Sequence, residues 1–154
     1  MRTRTTILSL LLCFVGAAVC FADDSVMGTW KLNEAKSKIV AGAPKLTTVV
    51  YEASGDSVKV TVEGTDGDGK PLHSEWTGKF DGKDYPVTGD ANSDMRSYKK
   101  VNDHTLAFTN KQGGKVTTSG QGVVSSDGKT RTVTLNGADS KGKKFSSTAV
   151  YDKQ

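Results

Sequence analysis

From Leu46 to Tyr151 the chain alternates runs of six to ten residues rich in Thr, Val and aromatics with short turns of Gly, Asp, Asn and Lys. The turns include Ala53-Ser54-Gly55-Asp56, Asp66-Gly67-Asp68-Gly69-Lys70, Asp81-Gly82-Lys83, Gly89-Asp90-Ala91-Asn92, Ser126-Asp127-Gly128-Lys129 and Asp139-Ser140-Lys141-Gly142. Breaks at roughly 8–12 residues each reverse an antiparallel strand, so the pattern predicts an all-β sandwich or barrel. That spacing excludes most enzyme folds, while leaving the chemistry open.

The first 22 residues read as a leader rather than as fold. Arg2 and Arg4 supply a positive start, Ile7 to Val19 an apolar run, and Cys20-Phe21-Ala22 small residues for cleavage after Ala22. The expectation is a signal peptide at 1–22, a single domain at 23–154, and a secreted or periplasmic product with no integral membrane segment after cleavage. Acylation at Cys20 is the variant reading, although Ala17-Ala18-Val19 fits a lipoprotein signal poorly. Cys13 and Cys20 leave with the leader, so no disulfide, thiolate nucleophile or cysteine-bound metal is expected. Loss of Arg2 and Arg4 lowers the formal charge from +4 to +2. An even distribution of so small a charge argues against a nucleic-acid partner.

Ten strands are predicted. Met27–Leu32 comes first, then Lys45–Ala53, Ser57–Thr65, Pro71–Phe80, Lys83–Thr88, Asp94–Val101, His104–Asn110, Lys115–Ser125, Thr130–Gly137 and Lys143–Asp152. Glu34 to Lys38 supports at most one short helical turn between the first two strands. Alternation assigns faces: Val58, Val60 and Val62 oppose Lys59, Thr61 and Glu63, and Arg131, Val133 and Leu135 oppose Thr130, Thr132 and Thr134. A ten-strand meander with tight turns has no need to cross over, and closure removes its edges. A closed antiparallel up-and-down β-barrel is therefore expected over a sandwich. Pro86 within a short strand marks the expected seam, near Lys83–Thr88.

Gly28-Thr29-Trp30-Lys31-Leu32 resembles the opening strand of the calycins, the lipocalins and fatty-acid-binding proteins. Thr148-Ala149-Val150-Tyr151 resembles the last strand of the fatty-acid-binding proteins. The nearest likeness is to small secreted bacterial lipocalin-like proteins with repeated Asp-Gly-Lys hairpins. The resemblance implies a barrel with an interior ligand site and makes Gly28 and Trp30 its structural motif. There are two departures. Ala149 stands where fatty-acid-binding proteins usually place a carboxylate-gripping arginine, leaving only Tyr151 of that pair. Asn33 to Pro44 is also too short for their two-helix lid.

Trp30 reads as a plug across the barrel base, its indole N–H needing a partner. Trp76, Phe80, Phe108 and Phe145 read as core, with Trp76 kept as a candidate lining residue. Beyond the leader only Arg96 and Arg131 are arginines, all other basic residues being lysine. An arginine kept amid lysines suggests use of its planar fork, which holds a carboxylate in two bonds. The plainer reading of each is an outer-face cation beside an Asp or Glu. The alternative puts them inside: Arg131 with Tyr151, and Arg96 with Tyr98, as the polar anchor for a small amphipathic anion. His73 and His104 lie on different strands beside turns, and Asp66-Gly67-Asp68-Gly69 lacks the remaining ligands of a calcium loop. No metal, cofactor or catalytic constellation is expected, so the chain reads as a non-enzyme. The functional expectation is a monomeric barrel that binds or transports a small hydrophobic or amphipathic ligand. The alternative is a structural or surface-interaction protein of the cell envelope with a filled barrel.

Overall fold

The computed structural model describes residues 24–154, so the leader read at 1–22 lies outside the described residues. Ten strands form: β1 Gly28–Leu32, β2 Lys45–Ser54, β3 Ser57–Thr65, β4 Pro71–Gly78, β5 Tyr85–Thr88, β6 Met95–Asn102, β7 Thr105–Gln112, β8 Lys115–Val124, β9 Thr130–Ala138 and β10 Lys144–Lys153. Each pairs antiparallel with the next, and β10 pairs with β1 to close the cylinder, Trp30 opposite Lys153 and Leu32 opposite Tyr151. The barrel expectation holds. Among the described residues the one helical piece is a 3₁₀ turn, Glu34–Lys36, capped by the Asn33 side chain, which accepts from Lys36 N at 3.2 Å. Among the described residues no helix is long and apolar enough to cross a membrane.

The strands run inward and outward as their alternation dictates. Val58, Val60 and Val62 are buried at 9%, 0% and 3% exposure, whereas the outward Glu63 is open to solvent. Burial of each such valine is worth about 1.5–3 kcal/mol, enough to lock the register, because a one-residue slip would turn the whole set outward. The seam falls where Pro86 placed it. β5 is held by two residue pairs to β4 (Glu75–Thr88, Trp76–Val87) and two to β6 (Tyr85–Arg96, Pro86–Met95). Two strands stop two residues short of their expected limits, and no other falls more than one residue short. β4 ends at Gly78 and β5 begins at Tyr85 because Asp81 folds the intervening residues into a turn, accepting from Lys83 N at 3.0 Å and from the Tyr85 hydroxyl at 2.9 Å.

One end of the barrel is filled. Trp30 is fully buried there, donating its indole N–H to Val26 O at 2.7 Å, with the Lys153 ammonium 5.3 Å from its ring centre. Around it and along the seam the aromatics pack edge to face, Trp76 against Tyr98 at 4.8 Å and Tyr85 at 5.7 Å, and Tyr51 against Tyr98 at 6.1 Å. Val26, Leu106 and Val124 complete this cluster. The other end is not filled.

Candidate functional site

A cavity of about 380 Å³ occupies the upper barrel. Val49, Val62, Leu72, Phe108, Val133 and Leu135 form its apolar walls, and residues of the connections after β1, β3, β5 and β9 form its mouth. That size lies at the small end of the range for ligand pockets. At the inward positions Gly120 and Gly122 of β8 the missing side chains let neighbours approach the backbone: a Cβ on Gly120 would lie 2.9 Å from Phe108 Cζ, while Val124, next in the series, is core.

Arg131, at the start of β9, stands at the floor, near the filled end. It is 2% exposed and turned inward, so the outer-face reading of this arginine is wrong: its place in the Arg131, Val133, Leu135 series carries it inside. Its guanidinium carbon lies 4.9 Å from the centre of the Tyr51 ring. Behind it is Gly122, where a Cβ would lie 2.6 Å from Nε and 2.7 Å from Nη2. The guanidinium is thus held between an aromatic face and bare backbone. Its Nε is buried without a hydrogen-bond partner, and among the described residues no carboxylate lies within 4.0 Å of it. An unmatched buried cation costs several kcal/mol, so this group gains most from an anion brought into the cavity.

Tyr151 on β10 sits directly opposite Arg131, and both line the cavity. Its hydroxyl donates to Leu46 O at 3.0 Å, so its proton is committed to the backbone of β2. Burial pushes the Tyr151 phenol up to about 12, against the pull of the Arg131 charge. Burial raises Tyr51 further, and Arg131 again partly offsets it. Both phenols are neutral at physiological pH. Because their folded values exceed the usual 10.0, the stability they contribute is complete below pH 10 and is lost as pH rises toward 12. Urea unfolding between pH 9 and 11.5 should show stability level at first, then falling by up to about 1.4 kcal/mol per pH unit for each phenol. Tyr151→Phe should remove one share of the fall. A profile flat to pH 11.5 would contradict this burial.

Arg96, on β6 nearer the mouth, is also inside, at 5% exposure, which corrects the outer-face reading a second time. Here the charge is matched. Its Nη2 lies 3.5 Å from Asp90 Oδ2, its Nε donates to Asn110 Oδ1 at 2.6 Å, and Asn110 passes the chain on to Thr118 Oγ1 at 2.7 Å. Arg96 therefore ties the β5–β6 connection to β7 and β8, and Tyr98 below it lines the cavity. Trp76 does not line the cavity. Its ring is stacked on Phe80 and its N–H donates to Arg96 O at 2.9 Å, which makes it part of the seam. The outer-face His73 stays exposed, between Glu63 and Glu75.

Tyr51, Gly122, Asp90 and Asn110 were not singled out from sequence. The Gly120-x-Gly122 spacing was the available signal, since glycines on one face of a strand mark a close approach by something bulky. Gly122→Ala should displace the Arg131 guanidinium and weaken anion binding by about three- to tenfold, an effect of the size found for coupled neighbours. In an Arg131→Met background the same change should have no further effect on binding. An equal effect in both backgrounds would show that Gly122 acts only on packing.

No protein-family model and no curated protein matches the chain. Among solved structures it is similar to a redesigned beta barrel, mFAP1, bound to DFHBI, with 16% sequence identity and a TM-score of 0.46 over 84% of this chain and 95% of that one.

Proposed function

We propose that this protein is an exported, lipocalin-like barrel that binds a small amphipathic molecule, acting as a monomeric carrier rather than a catalyst. One observation carries the reading: a buried arginine without a counter-charge at the floor of a mostly apolar cavity. A carboxylate or similar anion on Arg131 would relieve the desolvated charge, and the walls above would take an apolar body. The leader at 1–22 supports export to the periplasm or beyond.

The test is thermal melting of protein stripped of bound lipid, against a panel of fatty acids, retinoids, haem and phenolics. A ligand at 100 times its Kd adds about 2.7 kcal/mol to stability. Medium-chain carboxylates should raise the transition and the corresponding alcohols should do so much less. A flat panel would sink the carrier reading and leave the envelope-protein alternative standing.

A further inference from the structure

The charges on the cavity surface are sorted by type and by height. Four aspartates, Asp66, Asp68, Asp90 and Asp139, and two arginines line it, whereas no lysine does, although lysine supplies the surface charge of this chain. Asp90 is matched by Arg96. The other three have no ion-pair partner within 4.0 Å among the described residues.

These three come from two connections held together at the mouth. Ser140 donates to Asp68 Oδ1 at 3.0 Å, and Gly42 of the β1–β2 connection wedges against both, a Cβ on Gly67 lying 2.3 Å from the Gly42 carbonyl oxygen and one on Gly42 2.8 Å from Asp139 Cβ. Asp66 and Asp139 each accept two backbone N–H groups on Oδ1, and among the described residues neither Oδ2 has a hydrogen-bond partner. Each of these two carboxylates is thus anchored through one oxygen; the lysines of the same connections, Lys70, Lys141 and Lys143, do not line the cavity. Meanwhile the unmatched cation lies at the opposite end of the same cavity. Arg131 and Ala138 lie seven positions apart on β9, roughly 18 Å of barrel height at ordinary rise and tilt.

From this polarity, and resting on the carrier reading above, we infer that the ligand is two-ended. Its anionic end goes to Arg131 at the floor, and its outer end carries a cationic amine at the aspartate rim. The class is a zwitterionic amphiphile with its charges separated by an apolar spacer, rather than a simple fatty acid. A plain alkyl tail would end among three carboxylates, and an anion left at the mouth would be repelled by them. An ammonium there gains one or two solvent-exposed ion pairs.

Calorimetric titration of the purified protein at pH 7.5 with dodecanoate, 12-aminododecanoate and dodecylamine tests this. At low ionic strength 12-aminododecanoate should bind about fivefold more tightly than dodecanoate, and the gap should shrink in 300 mM salt as exposed pairs are screened. Dodecylamine should bind more weakly than either, having nothing for Arg131. Asp66→Asn together with Asp139→Asn keeps the turn-building oxygens and should bring the ratio toward one. Salt dependence in the unaltered protein keeps the test open should that variant fold poorly. Equal affinities for the two acids at both salt concentrations, or tighter dodecanoate, would overturn the two-ended ligand while leaving the carrier reading intact. If neither acid binds, both fall.

Discussion

Trp76→Ala is expected to destabilise the barrel by about 3–5 kcal/mol, the range for emptying a large aromatic site. The residue is 1% exposed, and its ring is stacked on Phe80 at 6.4 Å and meets Tyr98 at 4.8 Å and Tyr85 at 5.7 Å. Its N–H also caps Arg96 O, which alanine would leave without that donor. The loss falls where backbone pairing is thinnest, two residue pairs on either side of β5, so the seam depends on side chains. Hydrogen exchange in Trp76→Phe, which keeps part of the packing, should show amides of β5 and the start of β6 opening before those of β2, β3, β9 and β10. Urea denaturation measures the larger change. A loss below about 1 kcal/mol would mean that the aromatic cluster is not what closes the seam.

Arg131→Met is expected to act in opposite directions on stability and on binding. Removing an uncompensated buried charge in favour of an apolar chain of similar length should raise the stability of the unliganded protein by about 1–3 kcal/mol. The offset to this gain is the lost contact with the Tyr51 ring, worth about 0.5–2 kcal/mol. Affinity for dodecanoate should fall at least about thirtyfold, since truncating one member of a buried charged pair costs 2 kcal/mol or more. Arg96→Met supplies the contrast. That arginine is already paired with Asp90 and bonded to Asn110, so its loss should destabilise the protein, leaving Asp90 unmatched in the wall. Were both variants to lose stability alike, Arg131 would be a structural cation and the binding account would fail.

The barrel was legible because its information is local and periodic. Val58, Val60 and Val62 announce an inner face by alternation alone, and Asp-Gly-Lys turns announce three of the reversals, those after β3, β4 and β8. Pro86 marked the seam for the same kind of reason: a residue without an N–H cannot sit in a continuous ladder. The site was legible only in part. Arg131 and Arg96 have the correct parity for the interior, but parity cannot say whether a counter-charge awaits them. Asp90, matching Arg96, comes from a connection, and Tyr51, facing Arg131, comes from a strand 80 residues away by numbering. Trp76 was placed among ligand contacts because aromatics serve core and pocket equally well in a sequence. Its assignment to the seam follows from the short β5 ladders, which depend on pairing across the sheet.

The most direct measurement is a proton–nitrogen spectrum of the Arg131 side chain, assigned by its loss in Arg131→Met, during titration with dodecanoate. If an anion fills the place left open beside the guanidinium, the Arg131 Nε–H or Nη signals should shift with ligand occupancy while those of Arg96 move little. Saturable binding of dodecanoate that leaves the Arg131 signals unmoved would contradict the account.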